Sequence, residues 1–290
     1  MTLEEQYFEY RQELLSNPDE LIKLEKDFTE ILLNEVILPI SDNIHKDFSI
    51  RPQQLVPFWK NYPPEQRGRQ PKGTSIPWLE LGEKTTSSNI IGQLAKVFPD
   101  ITYAGLPTGG DIRFTTGNFY IHLDIKLTGP NDNPNEVVVP PNQVSGDGEI
   151  WNDGVLNNSH PIVYLTSSKK GQVNYNFQPK LPPIYILDNQ PLICLTFFLE
   201  TVYEVESLGM HPLKYLELSC VPNGLLLFET KKYCNLPGLL IAGKDDKTKA
   251  DDTKRIRIRL KPLAKIDNWR SIKILKEKND WIAKYRISKK

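Results

Sequence analysis

Two aspartates and a lysine carry the clearest chemistry in the chain. Asp124 and Lys126 stand in "FYIHLDIKLTGPND", residues 119–132, and Asp111 lies 13 positions before Asp124, in "AGLPTGGDIRF". Side chains alternate along a strand, so Asp124 and Lys126 share one face of theirs. A short "TTGN" turn joins the apolar segments 112–116 and 119–127 and predicts a hairpin that brings Asp111 beside both. Two carboxylates ~4 Å apart repel by ~4 kcal/mol at an effective dielectric of ~20, and a divalent cation removes the conflict. Hard oxygen ligands suit Mg²⁺, which keeps several waters and shares its shell with phosphate oxygens. The ammonium on the same face could stabilise developing negative charge or position an attacking water.

A second stretch has the chemistry of recognition. In "GKDDKTKADDTKRIRIRLK", residues 243–261, Arg255, Arg257 and Arg259 alternate with Ile256, Ile258 and Leu260. Such a strand docks its apolar face on a core and presents arginines outward. Guanidinium forks match the O6 and N7 acceptors of guanine in the major groove, at ~1–3 kcal/mol of discrimination each. In the preceding loop, Lys244 adds a donor, and Asp246 fits as an acceptor for a cytosine amino group, since an aspartate would repel a phosphate backbone. A surface strand with salt-bridged arginines is the plainer reading of the same residues.

The elements that must hold these groups are partly legible. Asn17 as N-cap, Pro18 at the first position and Glu20 at the third open a helix whose face is Leu21, Leu24, Phe28, Ile31 and Leu32, a packing or dimerisation helix. Residues 50–78, rich in Pro, Gly and basic side chains, read as an extended exposed segment. There Arg67, Arg69 and Lys72 are candidate phosphate contacts, while Trp59, Tyr62 and Trp78 read as anchors to the core. A second helix is expected over 84–98, starting just after Glu83 and burying Ile90, Ile91, Leu94 and Phe98. Strands are expected at 101–106, 112–116, 119–127, 162–166, 184–187, 192–203, 214–221 and 225–229. The Pro- and Asn-rich stretch 129–160 reads as a long functional loop, with Gln143 and Ser145 approaching DNA near the active site. His122, on the face of Asp124, reads as a structural neighbour, because Mg²⁺ prefers oxygen.

The formal net charge is zero, but the charge is segregated. Residues 241–290 hold 17 Lys and Arg against 7 Asp and Glu, while the first 40 hold 10 acids against 3 bases. An acidic helical layer at one end and a basic surface at the other are implied, and a basic stripe is the usual footprint of a phosphate backbone. The acidic N-terminus lacks the apolar core of a signal peptide, and no apolar run approaches the ~20 residues of a membrane span. Three cysteines without paired spacing and four scattered histidines suggest neither a disulfide framework nor a zinc site, so a reducing cytoplasm fits.

Asp, a dozen residues, then Asp-x-Lys resembles the PD-(D/E)xK nuclease signature, with Gly110 where proline often precedes the acid. Longer motifs, "PFWKNYPPEQRGRQPKGTSIPWLELGEK", "GLPTGGD", "LDIKLTGPND", "PPNQVSGDGEIW", "SCVPNGLLLF" and "GKDDKTKADDTKRIRIRL", resemble the BglI-like type II restriction endonucleases over most of the length. The resemblance implies one α/β domain over 1–290, a mixed central β-sheet flanked by helices, with added β and loop elements for DNA recognition. Within it lie an N-terminal helical layer (1–48), a catalytic core (about 76–130) and a DNA-reading loop and strand (243–261).

The same resemblance implies a Mg²⁺-dependent homodimer that cuts double-stranded DNA at GCC and GGC separated by five bases and leaves short 3′ overhangs. Asp111, Asp124 and the Ile125 backbone carbonyl would be metal ligands, Lys126 the catalytic lysine and Glu83 an accessory carboxylate. Lys244, Asp246, Arg255 and Arg257 would read bases; Arg259 is not part of what the resemblance carries over and reads as a phosphate contact or a surface salt bridge. A protective methyltransferase in the host is expected. The alternatives are a DNA-binding protein with a degenerate nuclease site, to which Gly110 is the only pointer, and a glycoside hydrolase, which would leave the arginines unexplained.

Overall fold

The computed structural model describes residues 1–50, 78–103, 110–152, 155–157, 162–167, 171–206, 210–234, 238–243 and 255–287. Helices α1 (Leu3–Ser16), α2 (Pro18–Ile31) and α3 (Leu38–His45) open the chain, and α4 (Trp78–Val97) follows. Strands β1 (Thr102–Tyr103), β2 (Ile112–Thr116), β3 (Phe119–Thr128), β4 (Glu136–Val139), β5 (Ile150–Asn152), β6 (Val155–Asn157), β7 (Ile162–Ser167) and β8 (Gly171–Phe177) come next. Then follow β9 (Ile184–Leu187), β10 (Gln190–Tyr203), β11 (Leu213–Val221), the short α5 (Lys231–Cys234), β12 (Leu240–Ala242), β13 (Ile256–Arg259), α6 (Leu260–Ile266), β14 (Ser271–Glu277) and β15 (Asp280–Tyr285).

The main sheet runs β1-β2-β3-β10-β11-β14-β15, with β9 beside β10, and is mixed because β3 and β10 are parallel while their other neighbours are antiparallel. A second sheet runs β4-β13-β12-β7-β8. Strand alternation sends β10 side chains both ways. Phe197 and Leu199 join a core with Leu21, Phe28, Ile90 and Leu94 of the helices, whereas Phe198 joins a second core with Val139, Ile256, Ile258 and Leu263. The main sheet is thus covered by helices on one face and by the second sheet on the other.

Most of the apolar face of α2 packs inside the chain, with Leu21 fully buried, Phe28 at 3 % exposure and Leu32 fully buried just beyond the helix, while Ile31 stays 37 % exposed. Its acidic composition includes one interior charge: Glu25 meets Arg270 at 2.6 Å with both side chains fully buried, and the Asn223 N–H donates to the same carboxylate. Breaking such a pair on one side costs about 3–5 kcal/mol.

Several expectations are corrected. Asn17 does not cap α2 through its side chain, which instead donates to Glu20; the capping box that forms is Thr2 with Glu5 on α1. Helix α4 begins at Trp78, so Glu83 lies inside it. Residues 225–229 form a π-helical turn rather than a strand, with Leu225, Leu226 and Leu227 all buried. The stretch 129–160 contains β4, β5, β6 and a 3₁₀ turn at Pro141–Gln143. The β14–β15 hairpin was not anticipated. Among the described residues no helix is long and apolar enough to cross a membrane.

Candidate active site

The hairpin forms with Ile112 opposite Leu123, and continuing that register by one residue sets Asp111 opposite Asp124. On the other side of β3, Phe198 stands beside Asp124 and Glu200 beside Lys126. Asp124, Lys126, Phe198 and Glu200 therefore share the face that looks toward the second sheet, while Leu123 and Ile125 point into the helical core. Gly110 precedes Asp111 at a close approach to β3: a Cβ there would stand 2.8 Å from the Leu123 carbonyl oxygen. A proline ring would collide with the same strand, which gives the departure from the usual signature a local reason.

Asp124 is 4 % exposed. Burial pushes its carboxyl up to about 6, with Lys126 pulling it down and Asp111 pushing it up. Lys126 Nζ lies 2.5 Å from Asp124 Oδ2 and donates to Gln143 Oε1 at 2.9 Å, and Gln143 Nε2 donates to Asp124 Oδ1 at 2.5 Å. The three side chains close a ring. Asp111 Oδ2 accepts from the Ile125 N–H at 2.9 Å, which ties the first acid to the strand that bears the second. No group of three or more His, Cys, Asp or Glu side chains suited to a metal occurs among the described residues. The donor set consists of two carboxylates, one buried at a cost that a cation would relieve, and this all-oxygen chemistry fits Mg²⁺.

Gln143 was expected to approach the DNA backbone near the active site, and the structure brings it there, bonded to Asp124 and Lys126. Glu83 is exposed on α4, and α4 packs against β3. His122 is a buried neighbour, bonded to the Tyr185 hydroxyl at 3.1 Å and with its imidazole held down at about 3 by burial. Cys194 and Cys220 are buried and free.

Strand β13 lies in the second sheet between β4 and β12. Ile256 and Ile258 are buried, Arg257 is half-buried and Arg259 is exposed. Leu260 begins α6 instead of extending the strand. Arg257 Nε lies 3.3 Å from Glu136 Oε1, and Arg255 sits half-buried just ahead of the strand. Gly243 donates its N–H to the Arg255 carbonyl, and a Cβ there would come within 2.4 Å of that oxygen. Lys244 and Asp246, like Arg67, Arg69 and Lys72, lie outside the described residues.

A cavity of about 400 Å³ joins the two regions, lined by Lys126, Thr128, Glu136, Val138, Glu200 and Arg257. Glu200 on its floor is buried, and burial with the adjacent Glu217 raises its carboxyl to about 8. The sequence signal for it was a lone acid in the otherwise apolar and hydroxyl-bearing run "LTFFLETVY".

Similar proteins define the class. A crystal structure of the restriction endonuclease BglI bound to its DNA recognition sequence superposes with a TM-score of 0.76, at 34% identity, over 93% of this chain and 95% of that one. A tetrameric restriction endonuclease SfiI bound to cognate DNA shares the fold, with a TM-score of 0.62 at 14% identity over the same shares. The fold is that of a restriction endonuclease.

The sequence pattern of the family "Restriction endonuclease BglI" matches residues 2–274. The type II restriction enzyme BglI of Bacillus subtilis is 37% identical over 294 aligned positions, covering 90% of this chain and 92% of that enzyme. The chain belongs to the BglI restriction endonuclease family, and its activity is site-specific cleavage of DNA.

Proposed function

We propose that the protein acts as a Mg²⁺-dependent homodimer in the cytoplasm, cutting both strands of GCCNNNNNGGC with short 3′ overhangs, in a host that protects the same sequence by methylation. The observation that supports the reading is a cavity lined by both Lys126 of the hairpin and Arg257 of the second sheet. The absence of a Cβ at Gly110 is structural, so it no longer favours a degenerate nuclease.

In this reading Asp111 and Asp124, with the Ile125 carbonyl, would hold Mg²⁺, and Glu83 would assist. When bound, the ion supplies Lewis-acid stabilisation of the phosphate charge and a water acidic enough to attack. Asp124 would serve as a ligand through an oxygen that Lys126 or Gln143 now engages. Lys126 would turn its ammonium to the phosphate, where a fixed cation stabilises charge as it develops. The drying of the site that raises the Asp124 carboxyl also strengthens these interactions. Arg255 and Arg257, with Lys244 and Asp246 of the preceding loop, would read the G·C pairs of each half-site, and Arg67, Arg69, Lys72 and Arg259 would contact phosphates. Two-fold symmetry of a homodimer matches the palindrome, and the spacer reports how the subunits are set.

The test is digestion of a long unmethylated DNA with Mg²⁺ and sequencing of every end. Ends at GCC and GGC five bases apart are expected. The same half-sites at another spacing would refute the proposed dimer arrangement, and cuts at unrelated sequences would remove the base-reading assignment.

A further inference from the structure

Gln143, from outside their strand, hydrogen-bonds both Asp124 and Lys126. Its carboxamide uses both ends, donating through Nε2 to Asp124 Oδ1 and accepting through Oε1 from Lys126. The turn that bears it is fixed on both sides. The Gln143 N–H bonds to the Pro140 carbonyl, Leu181 N–H to Val144, Gly146 N–H to Leu181, and Gly224 N–H to the Ser145 hydroxyl. Val144, the next residue, is 1 % exposed in the second core. The carboxamide is therefore presented by a built support.

Each Asp124 oxygen is engaged, Oδ1 by Gln143 and Oδ2 by Lys126. An N–H donor and a cation draw on the same oxygen, so a cation seated at the Oδ1 lone pair that Gln143 occupies would displace its amide. We propose that Gln143 is a positioning residue: it holds Asp124 and Lys126 in place before the cation arrives, yields Oδ1 to the cation, and keeps its acceptor on the lysine. The inference rests on Asp124 being a cation ligand.

Two effects of opposite sign follow from removing the amide. With Gln143→Met, similar in length but unable to make either bond, Asp124 loses a competitor, so Mn²⁺ titrated into the DNA-free protein at pH 8 binds roughly tenfold tighter. Lys126 loses its acceptor, so single-turnover cleavage at saturating Mg²⁺ slows by roughly 10–100-fold. A merely structural role would weaken both. Mn²⁺ affinity that is unchanged or weaker, or cleavage at the parent rate, overturns the proposal; Gln143→Ser serves if the Met variant does not fold. Asp124→Asn separates the two readings. Mn²⁺ bound as in the parent by that variant would sink the cation-ligand reading itself, whereas lost binding there with parental affinity in Gln143→Met would sink only the role of Gln143.

Discussion

The β2–β3 hairpin and the arginine strand β13 face one cavity but treat their charges differently. On the hairpin, Asp124 is buried and its two oxygens are bonded to Gln143 and Lys126. On β13, Arg257 is half-buried and paired at Nε with Glu136, and Arg259 is exposed. Groups that stabilise a transition state gain from being fixed and dry beforehand, since they then need no reorganisation during reaction. Groups that read a partner must keep donors facing outward until it arrives. The two sheets divide those requirements through Asp124, which is buried on β3, against Arg257 and Arg259 on the second sheet, while Lys126 is half-buried and Asp111 is exposed.

The sharpest way to break this division is Asp124→Ala. Cleavage is expected to fall by roughly 10³-fold or more, while binding to a specific duplex, measured by gel shift in Ca²⁺ or without metal, stays within a few-fold of the parent. Equal losses of binding and cleavage would mean that the hairpin also carries recognition, and the division would fail.

Glu200, on the floor of the shared cavity, tests the dryness of the catalytic side. Its folded carboxyl stands at about 8, raised first by burial and then by Glu217, against an ordinary value near 4.5. Between those values the folded protein binds more protons than the unfolded chain. Stability from this group is fully present below pH ~4.5 and is lost as pH rises to about 8, by a few kcal/mol in order of magnitude. Glu200→Gln removes that slope, so urea unfolding of the two proteins from pH 5 to 8 should diverge. Parallel curves would mean that water reaches Glu200 and that the site is wetter than its burial indicates.

How much of this was legible in the sequence follows the same division. Alternation alone was enough to put Asp124 and Lys126 on one face and to bury Ile256 and Ile258, because the period of a strand is a local property. The helical face of Leu21 and Phe28 was legible for a like reason. What was not legible depended on contacts between distant segments. Gln143 was expected near the active site, but its bonds to Asp124 and Lys126 depend on a turn held by Leu181 and Ser145, and no local signal announces that support. The π-helical turn at Leu225–Glu229 has a strand-like composition that tertiary burial overrides. The pairing of β3 with β10, which sets Glu200 beside Lys126, joins residues far apart in the chain, with no local signal for the register.

The finest test of the comparison lies within β13 itself, between two arginines on one face. Arg257 lines the cavity and is oriented through Glu136, so Arg257→Ala should cost about 1–3 kcal/mol of specific binding and relax discrimination at one base pair of the half-site. Arg259 is exposed and begins the exit into α6. Its replacement by alanine should weaken binding about equally for all sequences and lower the salt slope by about one, the signature of a lost phosphate contact. Binding titrations of both variants on cognate and single-substituted duplexes at several salt concentrations separate the two. If Arg259→Ala changed the preferred sequence and Arg257→Ala did not, the reading face would lie at the strand's outer end, away from the cavity, and the coupling of recognition to the hairpin through that cavity would be lost.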